Sequence, residues 1–110
     1  MTDTQDTPLR LQREGAIATL TFHRPAALNA IDVPMALALR DAVRALAQDR
    51  ALRCVVLEGA GRAFMAGGDL DTLAADPVRG AAELLAPLNE AVALLGQLDA
   101  PVIAKVHGAA

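Results

Sequence analysis

Several residue types are missing or nearly so. The 110-residue chain has no Trp, no Tyr and only two Phe. It contains no serine at all, which removes any serine nucleophile. Its one cysteine, Cys54, cannot form an internal disulfide, and a single thiol in an apolar run fits a reducing compartment. Lys105 is the sole lysine, and the arginines are scattered rather than gathered into a stripe. With a net charge of −3, that distribution argues against nucleic acid as a partner. No apolar run exceeds about five residues, far from the roughly 20 that a membrane span needs. The polar, acidic start "MTDTQDTP" has neither the basic nor the apolar region of a signal peptide. These absences leave a soluble, globular, cytoplasmic protein as the expected class.

What is present is alanine, leucine and valine. Hydrophobic residues make up 54% of the chain, too many for disorder. Small side chains bury little area each, at roughly 25 cal/mol per Å². A unit of this length should therefore be marginal unless it packs on something else.

Residues 1–8 read as a flexible N-terminal tail. "LRLQREGAIATLTFHRP" alternates around a turn at Glu14-Gly15 and predicts a hairpin ended by Pro25. Ala26 to Ile31 reads as a connecting loop. Asp32 is an N-cap candidate with Pro34 in the first turn. Met35, Leu39, Ala42, Val43 and Leu46 then form one helical face, fading near Asp49-Arg50. Leu52 to Ala60 predicts a strand whose continuous Cys54–Leu57 block should be buried on both faces, as in a parallel sheet. A short helix is expected from Asp71 to Ala75, stopped before Pro77. A longer one is expected from Arg79 to Leu98, with Leu84, Leu85, Leu88, Val92 and Leu95 inward. Pro87 should make that helix begin late or kink. "PVIAKV" predicts a final buried strand with an uncovered face and an unpaired edge.

The stretch "GRAFMAGGDLDTL" carries the chemistry. It places Gly67, Gly68 and Asp69 just beyond the end of a parallel strand and before a helix. Ligands bind beyond the carboxyl ends of such strands. Bare backbone and a helix start together can hold an anion or a developing oxyanion. The same spacing also suits a tight turn needing positive φ, with Asp69 as an ordinary cap. Spacing alone favours the turn and the cap, because short glycine pairs are common in loops. "EGAGRAF" lacks the Gly-Lys-Ser/Thr ending of a phosphate loop. His23 and His107 are far apart and have no partners at metal-ligand spacing, so no metal site is expected. Cys54 reads as core, Lys105 as surface, and Asp69 with Asp71 as helix-dipole partners.

Three pieces in order, "HRPAALNAI", "GAGRAFMAGGDL" and "PVIAKVHGAA", resemble the enoyl-CoA hydratase/isomerase (crotonase) family. Arg24, Pro25, Asn29 and Ala30 resemble its Arg-Pro-x-x-x-Asn-Ala. Phe64, Gly67, Gly68, Asp69 and Leu70 resemble its Phe-x-x-Gly-x-Asp-Leu. His107, Gly108 and Ala110 resemble the opening of its His-Gly-x-Ala-x-Gly-Gly-Gly. The resemblance implies an α/β crotonase-like spiral of strand–strand–helix units, with residues 9–110 as the N-terminal portion and the C-terminal part of the fold incomplete. It implies an acyl-CoA thioester as partner, assembly into trimers or hexamers, and no cofactor beyond the coenzyme A of the substrate. Carried over residue by residue, Gly68 would supply one backbone N–H to an oxyanion hole. Ala27, Leu28, Ala30, Ala66, Asp69 and Leu70 would line the substrate path, and Asp69 would hold the loop rather than act as the acid. The second N–H and the hydratase glutamates fall, in the family pattern, beyond Ala110. The superfamily alternatives are hydrolase, dehalogenase and decarboxylase chemistry, or a binding module without catalysis.

Overall fold

A computed structural model of the chain describes residues 7–69, 71, 74 and 76–110. Leu9–Glu14 (β1) and Ile17–Phe22 (β2) form the antiparallel hairpin, with Leu9 opposite Phe22 and Glu14 opposite Ile17. A single 3-10 turn, Pro25–Ala27, follows. Val33–Ala47 is the first helix (α1) and Cys54–Gly59 the third strand (β3). The second long helix (α2) spans Pro77–Gln97, and Val102–Ala104 (β4) ends the sheet. Strand order is β1-β2-β3-β4, with β2, β3 and β4 parallel. The short helix expected over Asp71 to Ala75 lies in part outside the described residues, as does Leu70.

The capping chemistry of α1 is as the sequence suggests. The Asp32 carboxylate accepts the Met35 N–H at 3.0 Å, and Pro34 sits in the first turn. Met35, Ala36, Leu39, Val43 and Leu46 are buried, against Ala18, Leu20, Phe22 and Val55 of the sheet core. Alternation places those sheet residues on one face, because directly paired residues share a side.

Helix α2 covers the expected span. It starts at Pro77 under an Asp76 cap, whose carboxylate accepts the Arg79 N–H at 3.2 Å, and it contains Pro87 rather than beginning there. Its buried residues are Gly80, Leu84, Pro87 and Ala91, whereas Leu85 and Val92 are 47% and 58% exposed. Of the residues expected inward, Leu84 is buried and Leu88 and Leu95 pack against the core, so the buried face is shifted rather than replaced, and α2 packs on α1.

The sheet also departs from expectation. Only Val55 of β3 is fully buried, so the Cys54–Leu57 block is covered on one face rather than two. β4 is three residues long and exposed throughout. Among the described residues it pairs only with β3, and no described helix is long and apolar enough to cross a membrane.

Candidate active site

Strands β2 and β3 are parallel neighbours, so the loops leaving Phe22 and Gly59 emerge at the same sheet edge. The Ala60 N–H bonds back to the Phe22 carbonyl at 2.9 Å. From there the two loops run side by side. The Ala66 N–H donates to the Leu28 carbonyl (3.0 Å), the Ile31 N–H to the Gly67 carbonyl (2.7 Å), and the Asp69 N–H to the Ile31 carbonyl (2.8 Å). Ile31 and Gly68 form a one-residue parallel bridge.

This pairing decides where the Gly68 N–H points. No cis peptide occurs in the described chain, so the Gly67 carbonyl and the Gly68 N–H point in opposite directions within one peptide plane. The carbonyl faces Ile31, and the N–H therefore faces away from it. It has no acceptor among the described residues. Gly68 lines an open depression of about 350 Å³ with Ala27, Ala30, Ala66, Asp69 and Asp71. Five of these six are residues that the family resemblance singles out. Leu28 is not a lining residue; it contributes its carbonyl to the loop pairing.

The two glycines have different jobs. Gly67 has φ +107, which a side chain would strain, although nothing lies within 4 Å of where its Cβ would be. Gly68 has no positive φ, and a Cβ there would make only ordinary contact, 3.6 Å from Leu84 Cδ2. The lack of a side chain at Gly68 is thus not demanded by backbone shape or crowding.

Two polar side chains hold the loops, and both are missed as organisers by sequence reasoning. Asn29 is fully buried and left-handed, with φ 58, next to Leu28 with φ 54. Its Oδ1 accepts the Arg24 N–H (2.8 Å), and its Nδ2 donates to the Ala60 and Ala63 carbonyls (2.9 and 2.8 Å). Asparagine tolerates the left-handed region, so one residue both turns the chain and ties it to the neighbouring loop. Arg24 is the second organiser. Its Nη1 donates to the Ala30 carbonyl (2.5 Å) and to Asp69 Oδ2 (2.9 Å), and its Nε lies 3.4 Å from Asp32 Oδ2. The other oxygen of each acid caps a chain turn: Asp32 Oδ1 accepts from Met35, Asp69 Oδ1 from Asp71 at 2.9 Å. The available signal was the pairing of Arg24 with two helix-start acids of opposite charge, which a linear reading does not bring together.

His107 stands beside this loop, its Nε2 2.8 Å from the Gly61 carbonyl. The Phe64 N–H donates to the His107 and Ala109 carbonyls (2.9 and 3.0 Å), so residues 107–109 are docked along the same segment. Cys54, read from the sequence as a core residue, opens β3 and is half-buried, away from the depression. Among the described residues, no three His, Cys, Asp or Glu side chains are placed to hold a metal.

A family model described as enoyl-CoA hydratase/isomerase matches residues 12–110. The chain belongs to the enoyl-CoA hydratase/isomerase family. It is 37% identical over 101 residues to the 1,2-epoxyphenylacetyl-CoA isomerase of Escherichia coli, covering 88% of this chain and 38% of that protein. It is 33% identical over 99 residues to the crotonyl-CoA hydratase of Syntrophomonas wolfei, covering 89% and 38%. The crystal structure of an enoyl-CoA hydratase from Mycobacterium smegmatis superposes with a TM-score of 0.83 at 40% identity, over 90% of this chain and 39% of that one. The family fold is thus the crotonase-like α/β fold, and the chain spans about two fifths of the length of these relatives.

Proposed function

We propose that this chain contributes one half of an oxyanion site for an acyl-CoA thioester, with the Gly68 N–H donating to the thioester carbonyl. The carrying observation is the direction of that N–H. The Ile31 pairing occupies the Gly67 carbonyl and leaves the N–H facing away from Ile31, without an acceptor among the described residues, on a residue that lines a depression with Ala27, Ala30 and Ala66. A carbonyl bound there gains most when its oxygen becomes negative, which is the requirement for stabilising an enolate-like intermediate. The small alanines leave the backbone accessible along the path assigned to the coenzyme A portion. Asp69 is engaged in capping Asp71 and pairing with Arg24, a holding role rather than proton transfer. The reaction class that fits is hydration or double-bond isomerisation of an enoyl-CoA, in keeping with the named activities of the relatives.

The test is turnover of crotonyl-CoA by the intact protein, read as loss of enoyl-thioester absorbance. Gly68→Pro deletes the N–H and should lower kcat by about 10²–10³. Gly68→Ala keeps the N–H and should far outperform it. A folded Gly68→Pro protein with unchanged kcat removes Gly68 from the mechanism.

A further inference from the structure

The peptide that carries the Gly68 N–H is flanked by glycine on both sides. Flipping its plane rotates ψ of Gly67 and φ of Gly68, and no Cβ resists either rotation. A flipped plane would present the Gly67 carbonyl to the depression, and an oxyanion would meet an acceptor instead of a donor. The orientation must therefore be held by bonds from outside the Gly67-Gly68 pair.

Those bonds converge on Arg24. The Ala30 carbonyl and the Ile31 N–H belong to one rigid peptide plane. Arg24 grips its carbonyl end at 2.5 Å, and the N–H end holds the Gly67 carbonyl at 2.7 Å. The Gly67 carbonyl and the Gly68 N–H share the next plane. Two rigid planes thus connect the guanidinium to the donor. On the other side, Arg24 anchors Asp69, the residue that follows Gly68, at 2.9 Å. The carboxylates of Asp32 and Asp69 offset the guanidinium charge, so the effect reaches Gly68 through geometry rather than through a long-range field.

We propose that Arg24 is a positioning residue that keeps the Gly67–Gly68 peptide in its donor orientation. This rests on the role assigned to Gly68 above. The experiment is a double-mutant cycle on crotonyl-CoA turnover in the intact protein. Arg24→Ala should lower kcat by about 10- to 100-fold, the scale of a misplaced catalytic group, with KM near its original value. The second arm repeats the substitution in a Gly68→Ala background. Alanine resists the positive φ that a flip imposes at 68, and the native φ there is not positive. The loss from Arg24→Ala should accordingly be several-fold smaller in that background. Should Arg24→Ala fail to fold, Arg24→Lys takes its place: one ammonium cannot match the fork that reaches Ala30, Asp69 and Asp32 together, so kcat falls again, by less.

An equal loss in both backgrounds overturns the proposal, as does an original kcat in a folded Arg24 variant or a rise in KM alone. A fully active Gly68→Pro protein is a separate result: it defeats the oxyanion reading itself.

Discussion

The two halves of the chain use the same small apolar residues to different ends. Helix α1 buries Met35, Ala36, Leu39, Val43 and Leu46 against the sheet. Helix α2 and β4 leave Leu85, Val92, Val102 and Ile103 at the surface. The apolar pattern is equally strong in both. An amphipathic stripe therefore specifies that an element will form, and its neighbours specify how much of the stripe leaves water. The candidate site lies at the seam between the halves, where Leu84 of α2 stands 3.6 Å from the place a Gly68 Cβ would take.

The contrast is broken most directly in the core. Met35→Ala should cost about 2–5 kcal/mol, since Met35 is fully buried and its removal leaves a cavity. Ile103→Ala, on the exposed strand, should stay within about 0.5 kcal/mol. Denaturant unfolding of both variants checks this; equal costs would mean that β4 is as well covered as α1.

A smaller effect is expected at the seam. Gly67→Ala should destabilise by about 1–2 kcal/mol, because it forces a side chain into positive φ. The same substitution at Gly68 should be far better tolerated, and a comparison of their melting temperatures sharpens the difference between a glycine kept for its conformation and one that neither backbone shape nor crowding requires.

The smallest effect is electrostatic and lies at the surface of the α1 half. The Arg13 guanidinium, bonded to the Asp49 carboxylate, holds that group below its ordinary value, helped by the Ala51 N–H. A bond from Arg44 does the same for Glu90 across the α1–α2 contact. A carboxyl lowered in the folded state stabilises above its unfolded pKa, and the contribution is lost as pH falls through the folded value. Both pairs are exposed and weak. Melting temperature should thus fall modestly as pH drops below about 4, and Asp49→Asn should remove part of that slope. An unchanged slope in that variant would assign the acid sensitivity elsewhere.

Much of the architecture was legible because it is local. Alternation marked the hairpin, a cap and a 3.6-residue period marked α1, and a continuous apolar run marked a parallel strand. The buried face of α2 was legible only in part. Choosing the largest apolar residues points to Leu84, Leu88 and Leu95, which do pack in or against the core, but also to Leu85 and Val92, which are exposed, and it passes over Gly80, Pro87 and Ala91, which are buried. The site was half legible. The motifs marked Ala27, Ala30, Ala66, Gly68 and Asp69, and the fold brings these five around one depression. The organising roles of Arg24 and Asn29 were not, because their partners lie up to 45 residues away in the chain.

By itself, then, the sequence determined the family, the element order and the presence of a glycine pair after a core strand. Tertiary structure alone distinguished the two glycines. Positive φ belongs to Gly67, and the N–H without an acceptor among the described residues belongs to Gly68, because Ile31 pairs with the 67 carbonyl and the 69 N–H. A trans peptide points its two polar ends in opposite directions, so the bridge that binds the 67 carbonyl leaves the 68 N–H facing away from Ile31.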